Sequence, residues 1–168
     1  TAKAVVDHEI TIFGGGQWRP FLHVDDAARA IASVLDAPLQ VVRNQFFNVG
    51  SNEQNYTISQ IGEIIHGLVP DAEVVNKEDS VDARNYWVNS NKINQALGFS
   101  PEWTVERGVE QVIDAIKTGK VGDYRDTRYS NIKFLKEQGI YLLTNNEGSE
   151  SLDLLNEESV GALIQDES

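Results

Sequence analysis

The chain has 168 residues, enough for one domain with a core that needs no covalent staple, and a net charge of −12. It lacks cysteine, which excludes disulfides and thiolate metal sites. No run approaches the ~20 apolar residues of a membrane span, and no basic patch suits a nucleic acid partner.

Residues 1–9 read as the end of a helix followed by a turn. Ile10-Thr11-Ile12-Phe13 alternates and is β-branched, which predicts a short strand. Gly14-Gly15-Gly16 breaks it. A dinucleotide loop needs spaced glycines opening a helix. Here Trp18, Arg19 and Pro20 follow, so the glycines are read as a sharp turn or a close backbone approach. Phe21-Leu22-His23-Val24 is expected to be a strand running into a helix capped by Asp25 or Asp26. Ala27, Ala28, Ala30, Ile31, Val34 and Leu35 give that helix an apolar face, and Pro38 closes it. Residues 45–50 read as a buried strand ending in a turn. Thr57 caps a helix with Ile58, Ile61, Ile64, Ile65 and Leu68 inward, stopped by Pro70. Residues 72–75 predict a strand, and residues 86–88 an extended segment. Ser90 is expected to cap a short helix that Gly98 ends. Thr104 opens the clearest helix, with Val105, Val109, Val112, Ile113 and Ile116 on one side. Residues 129–138 are a further helix candidate.

The end of the chain is acidic. Residues 141–168 carry Glu147, Glu150, Asp153, Glu157, Glu158, Asp166 and Glu167 with no lysine or arginine. A solvated, mobile tail is expected there, in preference to a weak amphipathic helix on Leu152, Leu155 and Leu163. Screening cuts off exposed charges beyond ~8 Å at physiological salt, so this tail does not oppose a small anion held by nearby arginines. Methionine is absent and Thr1 comes first, which suggests a processed or truncated piece. No secretory signal pattern opens the chain, and the expected location is the cytoplasm.

Helices and strands alternate, so the fold class is α/β. Three or four strands are fewer than a complete doubly wound sheet needs, so the chain reads as part of a larger fold.

The run Gln17-Trp18-Arg19-Pro20-Phe21-Leu22-His23-Val24-Asp25-Asp26 carries the strongest functional signal. An arginine on a rigid loop can grip a phosphate by two parallel hydrogen bonds. A neighbouring ring can lie against a flat base. The competing roles are a surface arginine at 19 and a core residue at 21.

Four stretches, in order, resemble the C-terminal part of the extended short-chain dehydrogenase/reductase (SDR) group, the NAD-dependent nucleotide-sugar epimerases and dehydratases. The first is the glycine-glutamine-x-arginine run from Gly16 into His23-Val24-Asp25-Asp26. Phe47-Asn48-Val49-Gly50 is the second, and Asp82-Ala83-Arg84-Asn85-Tyr86-Trp87-Val88 the third. Lys92-Ile93 with Leu97-Gly98-Phe99-Ser100-Pro101 is the fourth. The resemblance covers about residues 1–140, and Pro20 departs from it, as many members carry an aspartate there.

The resemblance implies a partial Rossmann-type extended SDR fold, the C-terminal substrate-binding portion without the N-terminal cofactor-binding half. The implied ligand is a nucleoside-diphosphate sugar. Arg19 matches the arginine that contacts the pyrophosphate, and Phe21 the position near base and ribose. Arg84 matches a second phosphate-binding arginine, and Asp82 an acceptor for ribose hydroxyls. An ion pair with Asp82 or Asp79 is the competing role for Arg84. His23, Val24 and Asp26 are expected to anchor the strand–helix junction. NAD or NADP is implied for the parent family, whose tyrosine-x-x-x-lysine pair precedes these motifs. Tyr129-Ser130-Asn131-Ile132-Lys133 fits that pattern by spelling, but it follows them and is read as coincidence with Tyr129 a packing residue. The expectation is a piece inactive by itself, whose severed apolar faces pair with the missing Rossmann half or with a second copy. A non-catalytic nucleotide-sugar binding or assembly module is the alternative.

Overall fold

The computed structural model describes residues 1–77 and 84–136. They belong to two compact units, Thr1–Gly122 and Asp123–Ser168. In the first unit, helix α1 (Ala2–Asp7) turns through His8, in the left-handed region at φ 54°, into strand β1 (Glu9–Phe13). Strand β2 (Trp18–Pro20), helix α2 (Val24–Asp36) and the short helix α3 (Leu39–Val42) follow. Then come strand β3 (Asn55–Thr57), helix α4 (Ile58–Leu68), strand β4 (Glu73–Lys77), helix α5 (Asn91–Leu97) and helix α6 (Val105–Lys117). β1 and β4 pair in parallel, from Glu9 opposite Glu73 to Phe13 opposite Lys77. β2 and β3 pair antiparallel, with Arg19 opposite Tyr56.

Alternation along β1 sends Ile10 and Ile12 into the core with Ala4, Ile65, Ala72, Val109 and Ile113. α4 lies close on β1 because Gly62 has no side chain. A Cβ there would stand 2.5 Å from Ile12 Cδ1. α4 starts with a capping box. Thr57 Oγ1 accepts the Gln60 N–H at 3.2 Å, and the Thr57 N–H donates to Gln60 Oε1 at 2.8 Å. Thr104 caps α6 by accepting the Arg107 N–H. A second core cluster, Ala30, Ile93 and Phe99, is packed by Phe47, Val49 and Leu97. Gly98 ends α5 at φ 65° and returns its N–H to the Asn94 carbonyl at 2.8 Å.

The two acidic residues at the start of α2 have separate fates. His23, and neither aspartate, is the cap: its Nδ1 accepts the Asp25 N–H at 3.1 Å. Asp26 is fully buried and accepts the N–H groups of Glu102 (3.0 Å) and Trp103 (2.9 Å) and Arg29 Nη1 (2.6 Å). It thereby ties the start of α2 to the segment that leads into α6. Above this tie the His23 ring stacks on Trp103 at 3.8 Å, and His23 Nε2 meets Gln111 Oε1 at 2.9 Å.

Three other expectations are corrected. The strand lies at Trp18–Pro20, ahead of residues 21–24, because β3 offers its ladder only there. Residues 45–50 are not a strand among the described residues. Phe47 and Val49 pack on the second cluster, while Phe46 is 89 % exposed. In the second unit, residues 129–138 are not one helix. A 3₁₀ turn (Thr127–Tyr129) and helix α7 (Asn131–Phe134) are separated by Ser130, extended at φ −125° and ψ 107°. Tyr129 and Lys133 therefore do not share a helix face, and Tyr129 is 44 % exposed, which does not suit a packing residue. The acidic tail and its weak helix candidate lie outside the described residues.

Candidate functional site

The site is built on the turn between β1 and β2. Gly14 takes φ 58°, and the Gln17 N–H closes the turn on the Gly14 carbonyl at 2.9 Å. The Ser59 N–H donates to Gly15 O at 2.9 Å, and a side chain at Gly15 would collide with Ser59 Oγ. The glycine run thus leads into a strand and is clamped by the first turn of α4.

β2 then presents Arg19, half-buried, opposite Tyr56. Arg19 Nη1 donates to Trp18 O at 2.8 Å and to the carbonyl of Arg84. Its Nη2 donates to Gln17 Oε1 at 3.0 Å. These neutral oxygens fix the direction of the guanidinium fork, which also lies 5.5 Å from the centre of the Tyr86 ring. Burial first, then the Glu106 carboxylate, push the Tyr56 phenol up, so its O–H stays a donor at neutral pH.

The segment after β4 runs beside β2. The Trp18 N–H donates to Asn85 Oδ1 at 2.9 Å, and the Tyr86 N–H to the Trp18 carbonyl at 3.4 Å. Between this segment and the glycine turn opens a cleft of about 390 Å³, lined by Gly15, Gly16, Gln17, Asn76, Lys77 and Asn85 among others. It sits at the carboxyl ends of the parallel strands β1 and β4, the edge where open α/β sheets hold ligands.

The structure therefore brings Arg19 against the backbone of Arg84, whose own residue is exposed. Phe21 meets Tyr56 edge to face at 6.3 Å but lines a different, apolar cleft of about 240 Å³ with Leu22, Ile61, Ile65, Trp103 and Val109. Asp82 and Asp79 lie outside the described residues. Sequence reasoning missed Gln17, Tyr56, Tyr86 and Asn85. The signal for Gln17 was present, since it stands two residues from Arg19 and so shares its side of an extended chain. Tyr56 and Asn85 carried no local signal, because their partners are distant in sequence. No group of three His, Asp or Glu residues among the described residues could hold a metal ion. No helix among the described residues is long and apolar enough to cross a membrane.

A parallel strand pair ending on a glycine turn, with a cleft at its carboxyl edge, and the solved structures below that share the fold place the chain in a class: an α/β fold of Rossmann type. Residues 1–50 match the model of the NAD-dependent epimerase/dehydratase family. The UDP-glucuronate 4-epimerase of Thermodesulfobacterium geofontis is 29 % identical over 109 residues, 62 % of this chain and 32 % of the relative. The dTDP-glucose 4,6-dehydratase of Xanthomonas campestris pv. campestris is 28 % identical over 125 residues, 67 % of this chain and 35 % of the relative. Among solved structures, the UDP-glucuronic acid 4-epimerase of Bacillus cereus, in complex with UDP-glucuronic acid and NAD, is 24 % identical. It aligns with a TM-score of 0.59 over 70 % of this chain and 38 % of that one. The L-threonine dehydrogenase of Clostridium difficile aligns with a TM-score of 0.61 at 15 % identity, over 72 % of this chain and 40 % of that one. The chain spans about a third of the length of the curated relatives it matches. In sequence and in fold the chain is similar to the NAD-dependent epimerase/dehydratase family of the extended short-chain dehydrogenase/reductase group.

Proposed function

We propose that the chain supplies the substrate side of an NAD(P)-dependent sugar-nucleotide epimerase or dehydratase and grips a nucleoside-diphosphate sugar by its diphosphate. Arg19 and Arg84 provide two guanidinium forks and Asp82 an acceptor for ribose hydroxyls, while Phe21, from the separate apolar cleft it lines, provides a wall beside base and ribose. The observation that supports this most is the bond from Arg19 to the carbonyl of Arg84, which joins two arginine positions 65 residues apart. A diphosphate offers about two negative charges and several acceptor oxygens, and guanidinium groups match them without losing their protons. The sequence relatives named above act on UDP-glucuronate and dTDP-glucose. The fold shared with L-threonine dehydrogenase makes L-threonine the control ligand.

Hydride transfer on this reading belongs to a cofactor-binding half, and the chain by itself does not catalyse. The outward stripe of α2, with Val24, Ile31 and Leu35 exposed, is a surface such a half would cover; a second copy is the other candidate. Calorimetric titration with UDP-glucuronate and dTDP-glucose tests the ligand. Hydrogen bonds to charged groups contribute about 1.5 to 3 kcal/mol each, so Arg19→Ala weakens binding about 10- to 150-fold. Unchanged affinity in that variant rejects the assignment.

A further inference from the structure

We propose that Asn85 is a ligand-contacting residue that donates a hydrogen bond from its side-chain amide to an acceptor oxygen of the ligand held by Arg19; this rests on the nucleotide-sugar reading above. The two ends of the Asn85 amide are told apart by its neighbour. A backbone N–H can only donate, so the atom 2.9 Å from the Trp18 nitrogen is the carbonyl oxygen Oδ1. Nδ2 is then the other end, and it makes no hydrogen bond with the described residues. Asn85 lines the cleft of about 390 Å³ at the carboxyl ends of β1 and β4. The amide is therefore held by its oxygen and offers its nitrogen.

The surroundings of that nitrogen favour an anionic oxygen. Gly16 adds bare backbone to the lining, and a side chain there would meet nothing within 4 Å, so a ligand can come close. Lys77 lines the same cleft and adds positive charge. Gln17, which also lines it, holds Arg19 Nη2 at 3.0 Å, and Arg19 Nη1 bonds the carbonyl of the residue preceding Asn85. Asn85 is thus the next side chain along from the contact that joins the two arginine positions. Its donor selects for an acceptor, such as a phosphate or carboxylate oxygen, against a donor in the same place.

Two substitutions separate this role from simple anchoring of β2. Asn85→Asp keeps an acceptor for the Trp18 N–H and removes the donor. Asn85→Ala removes both. Titration of the full chain with UDP and with UDP-glucuronate is expected to show about 10-fold weaker binding in each variant. The loss in Asn85→Asp is expected to persist at 0.5 M salt, where screening suppresses repulsion beyond about 4 Å, and its thermal unfolding is expected to match the parent chain. Asn85→Asp binding as tightly as the parent, or recovering fully in salt, overturns the donor role while the nucleotide-sugar reading stands. Failure of the parent chain to bind either probe overturns both.

Discussion

Asp26→Asn is the sharpest probe of how the fold holds itself together. The carboxylate is fully buried and accepts two backbone N–H groups, from Glu102 and Trp103, besides the Arg29 guanidinium. Each N–H to a charged acceptor contributes about 1.5 to 3 kcal/mol. The Arg29 pair adds no more than about 1 kcal/mol, because that guanidinium is 41 % exposed. An asparagine oxygen in the place of Oδ2, which stands 3.1 Å from the Glu102 nitrogen and 2.9 Å from the Trp103 nitrogen, still accepts both N–H groups but without the charge, and its NH₂ is turned toward the Arg29 guanidinium. The expected cost is about 2 to 4 kcal/mol, a large share of a stability of roughly 5 to 15 kcal/mol. Urea unfolding followed by tryptophan fluorescence measures it. The pH dependence gives a second reading of the same bonds. Burial pushes the Asp26 carboxyl up, but the Glu102 and Trp103 N–H groups and Arg29 outweigh it and hold it below the ordinary aspartate range. The unfolded chain thus binds the proton more readily, so this stability is present above about pH 4 and is lost as pH falls through the folded-state value. The Asn variant lacks that component of the acid slope. A loss below about 0.5 kcal/mol, or an unchanged acid slope, would refute the role given to Asp26.

Thr57→Ala removes half of the α4 capping box and is expected to cost about 1 kcal/mol, read as a lower urea midpoint at unchanged slope. Gly62→Val forces a side chain into the space held by Ile12 and is expected to cost about 1 to 3 kcal/mol by the same measurement; a stabilised variant would show that the α4–β1 contact can spread.

The helices of the first unit were legible because their signals are local. Thr57, Thr104 and Gly98 each sit within four residues of the group they satisfy. Residues 45–50 misled because a short run with Phe46, Phe47 and Val49 says that a segment is half-buried and nothing about whether a neighbour supplies a ladder. Phe47 and Val49 are indeed packed, with no strand partner among the described residues. The pair Asp25-Asp26 looked like alternative caps. The partners that make Asp26 a buried tie stand 76 and 77 residues away, and no local pattern announces them. The same distance explains the site. Arg19 was visible as an arginine in a telling run, while Asn85 gains its meaning only when Trp18 comes within reach, 67 residues back along the chain.

Parallel pairing of β1 with β4 closes a long excursion that contains β2, α2, α3, β3 and α4. Residues 84–86 come after β4 in the chain, and their contacts with β2 span the same excursion. Contacts of such separation form late in folding. A partly folded chain with its helices in place but this closure unmade lacks the cleft at the carboxyl ends of β1 and β4, so on the proposed function ligand capture would report that the whole circuit is complete.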